Sequence, residues 1–256
     1  MSGHLTRRLK PEEEEILRKR DELAAIRATL AELELDLVDL RSQLAAFEGR
    51  YLRQVGALYA ELDEWKALIS ELRARLDPSA AAKEQAQQAR DQARQTHEEA
   101  HGKASEARDF KPSPDLRRLY REVARRIHPD LAKDSVDLER RTRFMAEANR
   151  AYEAGDAEAL QRILDEYQDG ADAVEGEGIG AELIRLIRQI SMAKARIAAI
   201  QKELAMLWQS EIAKLKKRAE ERELAGGDLL AELAATVHEQ IERTKKEYEA
   251  LAKVKG

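Results

Sequence analysis

Cysteine does not occur in this chain of 256 residues. Disulfides, thiolate zinc sites and cysteine nucleophiles are therefore excluded. Aromatic residues make up only 4% of the chain, too few for one large globular core, although 43% of it is apolar. Proline occurs five times and glycine twelve times, so long stretches run without punctuation. No stretch approaches the roughly 18 consecutive apolar residues of a membrane span. The N-terminus, "MSGHLTRRLKPEEEE", lacks the apolar segment of a secretory signal. Net charge is −5, from 45 basic and 50 acidic residues, so no basic excess directs the chain to nucleic acid or an anionic membrane. What is abundant is Ala, Glu, Leu, Arg and Lys, the balance of long helices and coiled coils. The expectation is an all-α, cytoplasmic protein.

From Ile16 the large apolar residues fall at alternating steps of three and four. They run Leu23, Ile26, Leu30, Leu33, Leu37, Leu40, Leu44, Phe47 and Tyr51, and continue through Val55, Leu58, Leu62, Trp65, Ile69, Leu72 and Leu76. That is a heptad seam, the mark of a coiled coil. Two successive steps of four around Tyr51 and Val55 form a stutter, which relaxes the supercoil between Gly49 and Gly56. Pro11 with Glu12 to Glu15 starts the helix well, since proline suits the first turn and acids suit the positive end of the dipole. About 65 helical residues would reach roughly 100 Å, and such a stripe needs a partner. A homo-oligomer is expected to supply it; the alternative is the C-terminal helices from Leu183 to Leu251 folding back.

The chain divides into five segments on this reading. Residues 1–77 are an N-terminal coiled coil, and residues 78–109 a polar Ala/Gln-rich helical spacer without a face to bury. Residues 110–168 form a small helical domain, 169–180 an acidic glycine-rich linker, and 181–256 a C-terminal helical hairpin turning at Gly226-Gly227-Asp228. In the small domain Ser113 is the expected N-cap, with Pro114 at the first helical position. Leu116, Leu119, Tyr120, Val123 and Ile127 then recur on one face, as do Phe144, Met145, Ala148, Ala151 and Tyr152. Gly155-Asp156 reads as a C′ glycine followed by an N-cap. A third helix carries Leu160, Ile163, Leu164 and Tyr167.

Three patterns invite chemistry. "HEEAH" places His97, Glu98 and His101 at the H-E-x-x-H spacing of zinc hydrolases, with both imidazoles on one helix face. Its flanks, "QARQT" and "GKASE", offer no apolar shell or third ligand, so no metal is expected there. Gly176-x-Gly178-x-Gly180 follows no strand and reads as linker, not as a phosphate loop. His4 and His238 have no metal-like neighbours. The third pattern is His128-Pro129-Asp130, which closes the basic stretch "LRRLYREVARRIHPD".

This stretch resembles helix II and the loop of the J domain, the signature module of DnaJ-type co-chaperones. Tyr120, Val123, Ala124, Arg125, Arg126 and Ile127 match the family's tyrosine, apolar and basic positions. "FMAEANRAYEAGD" resembles helix III, with Ala151-Tyr152 as the pair that packs back on helix II. The resemblance covers about residues 110–168. The family's first-helix signature, a tyrosine and Leu-Gly-Val, has no counterpart between Pro78 and Phe110, so the hairpin must be braced otherwise, for instance by residues 157–167.

The resemblance implies a helical hairpin whose core is Leu116, Leu119, Tyr120, Val123, Ile127, Met145, Ala148, Ala151 and Tyr152. It also implies a partner, a DnaK-type heat-shock chaperone, docked by His128, Pro129 and Asp130 with Arg117, Arg118, Arg121, Arg125 and Arg126, whose ATP hydrolysis is stimulated. Arg117, Arg121 and Arg125 share the face opposite the core, offset only by Asp115 and Glu122. Ile127 being the last core residue, His128 and Asp130 are expected to project from the loop tip. The protein would have no catalytic residues and no cofactor of its own, and its coiled-coil arms would capture an unidentified client. The alternatives are a coiled-coil scaffold whose J-like module is not coupled to a chaperone and, from the enzyme class, the zinc hydrolase.

Overall fold

Helix start and stop signals, placed where the residue types demand them, cut the chain into nine α-helices among the described residues. The computed structural model describes residues 10–102, 110–132, 134–168 and 178–253. They form α1 (Pro11–Tyr51), α2 (Ala57–Leu76), α3 (Ala80–Gly102), α4 (Pro114–Ile127), α5 (Ser135–Glu153), α6 (Ala157–Gln168), α7 (Ile179–Gln209), α8 (Glu211–Leu224) and α9 (Leu229–Lys253). The fold is all-α, and no strand occurs among the described residues. Nor is any helix among them long and apolar enough to cross a membrane.

The helices belong to two compact units, each assembled from separate pieces of chain. One takes residues up to Ser42 and Phe110–Trp208; the other takes Gln43–Asp109 and the chain from Gln209 onward. One break falls between Asp109 and Phe110. The others fall at Ser42 and Trp208, not at Asp77 and the 169–180 linker, because helices distant in sequence share cores. Residues 169–177 of that linker lie outside the described residues.

In the first unit, α4, α5 and α6 enclose a core of Leu116, Tyr120, Val123, Ile127, Phe144, Met145, Ala148, Ala151, Tyr152, Leu160, Ile163, Leu164 and Tyr167. Leu119 is partly buried against it. The aromatic rings interlock, Tyr120 against Tyr152 at 4.8 Å and Phe144 edge-on to Tyr167 at 6.1 Å between centroids. Ser113 caps α4 by accepting from the Leu116 amide at 3.1 Å. Gly155, at φ +73°, ends α5 in the left-handed conformation that glycine adopts freely. Asp156 then caps α6 through the Ala159 amide at 2.8 Å. The brace comes from α6 and, in addition, from α1: Ala31, Leu35 and Val38 complete the same core.

α1 therefore has a second apolar stripe beside its heptad seam. The seam itself is covered by α7 of the same chain. Leu30 and Leu37 pack with Ala193 and Ile200, and Ile16 and Leu23 with Leu186 and Ile190. Arg20–Glu182, Arg41–Glu203 and Glu34–Arg196 are all linked at a constant separation of 162 residues, so α1 and α7 run parallel and in register. At roughly 1.5–3 kcal/mol for each large apolar side chain buried, this seam is a substantial share of the unit's stability. The need for a second chain, on which the expectation of a homo-oligomer rested, does not arise over this stretch.

In the second unit the expected stutter takes the form of one π-helical turn, Leu52–Gly56. Phe47, Val55 and Leu62 pack there with Leu230, Val237 and Ile241 of α9, and Trp65 meets Tyr248 edge-on at 5.6 Å. Gly226, at φ +80°, and Asp228, which caps α9 through the Ala231 amide at 3.1 Å, form the expected turn between α8 and α9. The spacer reading is corrected here. Far from having no face to bury, α3 lies antiparallel on α2 and buries Ala86, Ala93 and Ala100. Alanines at heptad spacing let two helix backbones approach closely, so a seam exists without any large side chain.

Candidate docking site

α4 presents its arginines on the side away from Tyr120 and Val123, as the helical period requires. Arg118 is the freest of them, 74% exposed and 3.7 Å from Asp115. Arg125 pairs with Glu122, and Arg126 reaches the other oxygen of that carboxylate at 2.5 Å. Arg117 and Arg121 face α1 instead of solvent alone. Arg117 pairs with Asp39 at 2.5 Å and Arg121 with Glu32 at 3.1 Å. The offsetting acids are thus Glu32 and Asp39 as well as Asp115 and Glu122. Asp39 is buried and also accepts from the Tyr152 hydroxyl, which joins the α4–α5 hairpin to α1 by a polar bridge.

The expectation that His128 projects from the loop tip is corrected by the structure. Its side chain is only 4% exposed. Pro129 ends α4, and His128 through Leu131 turn in a single 3₁₀ step, Pro129–Leu131, with the Leu131 amide donating to the His128 carbonyl at 3.1 Å. His128 Nδ1 accepts from the Asp130 amide at 3.1 Å. A neutral ring then carries its proton on Nε2 and donates to Glu34 Oε1 of α1 at 3.0 Å. Arg196 of α7 donates to the same oxygen at 2.8 Å. Burial alone would raise the Glu34 pKa, but the hydrogen bonds from His128 and Arg196 and the charge of Arg196 outweigh it and hold the carboxyl below its ordinary value.

Asp130 is half-buried beside this cluster. Desolvation raises its pKa, against the attraction of Arg196. Leu131 is fully buried among Ile16, Leu23, Leu186 and Ile190, and its carbonyl accepts from Gln189 of α7 at 2.7 Å. From the other side, Arg141 of α5 donates to the Arg126 carbonyl at 3.0 Å and reaches the His128 carbonyl at 3.5 Å. The Arg126 carbonyl is one of those that the end of α4 leaves without an α-helical partner. The loop is therefore gripped by α1, α5 and α7.

His128, Pro129 and Asp130 are brought together with Arg117 and Arg121 along the α1 side of the hairpin. Glu34, Asp39, Arg141, Gln189 and Arg196 were not foreseen. Glu34 and Asp39 did carry a signal, because "LELDLVDL" sets acids between two apolar stripes, where a helix covered on both flanks must bury them.

The H-E-x-x-H residues lie in the other unit. His97 is half-exposed on α3, with Nδ1 3.8 Å from Glu64. The side chain of His101 is outside the described residues, as are His4 and Gly176. Among the described residues no three His, Cys, Asp or Glu side chains converge as metal ligands. Gly178 and Gly180 stand at the start of α7 in open space, and His238 is exposed on α9. Compared with family models, with curated proteins and with solved structures, the chain matches none.

Proposed function

We propose that the protein is a cytoplasmic J-domain-type co-chaperone that docks on a DnaK-type heat-shock chaperone and stimulates its ATPase. The carrying observation is that His128-Pro129-Asp130 closes a two-helix hairpin whose first helix is basic, with Tyr120 hydrogen-bonded to Asn149 at 2.7 Å across it. In this reading Arg118, Arg125 and Arg126 steer encounter, since a basic stripe raises association rates with an acidic partner more than it raises affinity. Asp130 supplies the local contact, His128 joins it only once freed from Glu34, and the paired long helices hold a client. No group of the chain performs covalent chemistry.

The test is single-turnover ATP hydrolysis by a DnaK-type chaperone with and without the full chain. Stimulation that Asp130→Asn abolishes is the expected result. No stimulation by the full chain or by variants that free the loop would sink the reading.

One observation favours the scaffold as a second reading. His128 is buried, and Arg117 and Arg121 are paired within the chain, so the surface that docks in J proteins here serves as an internal joint. A scaffold would lose stability on substitution at His128 and would have no chaperone activity to lose.

A further inference from the structure

The three polar grips on the loop differ in what they hold besides it. α1 and α5 both contribute to the core around Tyr120 and Tyr152. α7 does not: none of its residues belongs to that core. Its hold on the loop includes Gln189 on the Leu131 carbonyl, Arg196 on Glu34, and Leu186 and Ile190 against Leu131. Ile184, Ile187 and Met192 of α7 stay about half exposed, and Ile184 and Met192 line a cleft with Ala132, Ser135 and Leu138 beside the loop. Removing α7 would leave the α4–α6 core and its α1 brace closed, while uncovering the α7 side of Leu131 and taking Arg196 from the Glu34 oxygen that His128 uses.

The chemistry of the cover mirrors what the loop would offer a partner. Asp130 is a carboxylate suited to an arginine, and the charge of Arg196 already reaches it. Arg117 and Arg121 are suited to acids, and Asp39 and Glu32 already answer them. The chain thus holds its own substitutes for a partner at Asp130, through Arg196 of α7, and at Arg117 and Arg121, through Asp39 and Glu32 of α1.

We propose that α7 is a detachable cover over the His128–Leu131 loop, so that the covered protein is held inactive toward a chaperone and activated when α7 leaves α1. The regulatory half of this inference rests on the co-chaperone reading; the cover itself does not. Because α7 is also the partner of the α1 seam, uncovering the loop and freeing the seam are one event. Any ligand of the freed seam therefore favours docking at the loop, and the coupling is reciprocal.

The experiment compares the full chain with Gln189→Ala/Arg196→Ala, reading two quantities. One is the rate at which diethyl pyrocarbonate modifies His128, followed by peptide mass mapping against the exposed His238 as internal standard. The other is stimulation of a DnaK-type ATPase. Wild type is expected to modify at His128 about tenfold or more slowly than at His238, as a site reached through local opening would. The variant should close most of that gap, retain its helical circular dichroism and stimulate the ATPase several-fold more than wild type. If the double variant loses helix, Gln189→Ala alone, which removes a single hydrogen bond, is read in the same way.

Reactivity of His128 equal to that of His238 in wild type, or protection unchanged in the variant, overturns the cover. An opened loop with wild-type stimulation already at the variant's level also overturns the proposal, while the co-chaperone reading stands. An opened loop with no stimulation by either protein supports α7 as the cover and removes the co-chaperone reading instead.

Discussion

Glu34 of α1 accepts from His128 Nε2 at 3.0 Å, and the same oxygen accepts from Arg196 of α7 at 2.8 Å. One buried carboxylate thus joins the loop to two helices far from it in sequence. Its pKa is held below the ordinary 4.5 because the hydrogen bonds from His128 and Arg196 and the charge of Arg196 outweigh desolvation. A carboxyl depressed on folding stabilises the fold fully above its unfolded pKa and loses that contribution as pH falls through the lower folded value. Acid below pH 4.5 should therefore loosen the loop. Melting temperatures of wild type and Glu34→Gln from pH 7 to pH 3 check this: the variant should start lower at pH 7, and the two curves should converge in acid. Parallel curves would contradict the assignment.

Asp130 has the opposite sign. Its pKa is raised, chiefly by burial, so its ionised form costs stability at neutral pH and protonation relieves that cost. Asp130→Asn should leave the melting temperature at pH 7 unchanged or slightly higher. The same variant is expected to lose chaperone stimulation, which separates a docking residue from a structural one. A marked fall in melting temperature would place Asp130 among the residues that hold the loop.

Asp39 answers both the Tyr152 hydroxyl and Arg117 while itself buried. Asp39→Ala leaves two donors without their acceptor, and an unsatisfied buried group costs about 1–3 kcal/mol. Urea denaturation should show a loss of that size. Tyr152→Phe, which removes a donor and leaves Arg117 on the carboxylate, should cost less.

Much of this architecture is readable in the sequence where a residue type has one mechanical use. Ser113-Pro114, Gly155-Asp156 and Gly226-Gly227-Asp228 end and start helices as their chemistry requires, and the stutter near Val55 appears as a π turn. The hairpin core follows from period alone. Three features escaped for a common reason, that each depends on a partner chosen at a distance. Leu35 and Val38 look like members of one broad seam until α4–α6 claims them. Ala86, Ala93 and Ala100 bury little area each and matter through close approach. The burial of His128 depends on Glu34 and Arg196, separated from it in sequence by whole helices.

The two stripes of α1 can be separated experimentally. Leu35 faces the α4–α6 core, and Leu37 faces α7. Leucine-to-alanine changes in cores cost about 2–5 kcal/mol, so both variants should be destabilised. Their hydrogen-exchange patterns should differ. Leu37→Ala should accelerate exchange in α7 while sparing α4 and α5, and Leu35→Ala should reach Tyr120 and Tyr152. Identical patterns would mean that α1, α7 and the hairpin open only as one body.

The alanine seam makes the last prediction, because it attributes stability to residues that carry almost no apolar area. Ala93 is 3% exposed between α2 and α3, whereas Ala81 on α3 is exposed. A leucine at Ala93 adds atoms where the helices meet, and overpacking of this kind costs roughly 1–3 kcal/mol. Leucine at the exposed Ala81 should stay within about 0.5 kcal/mol of wild type. By hydrophobicity alone both changes would be neutral or stabilising, so the sign at Ala93 decides between a packed seam and a solvated spacer. Chemical denaturation of Ala93→Leu beside Ala81→Leu measures it. Equal stability of the two variants would mean that α3 does not bear on α2 in solution, and the protein would then have a free polar helix where the structure places a close-packed pair.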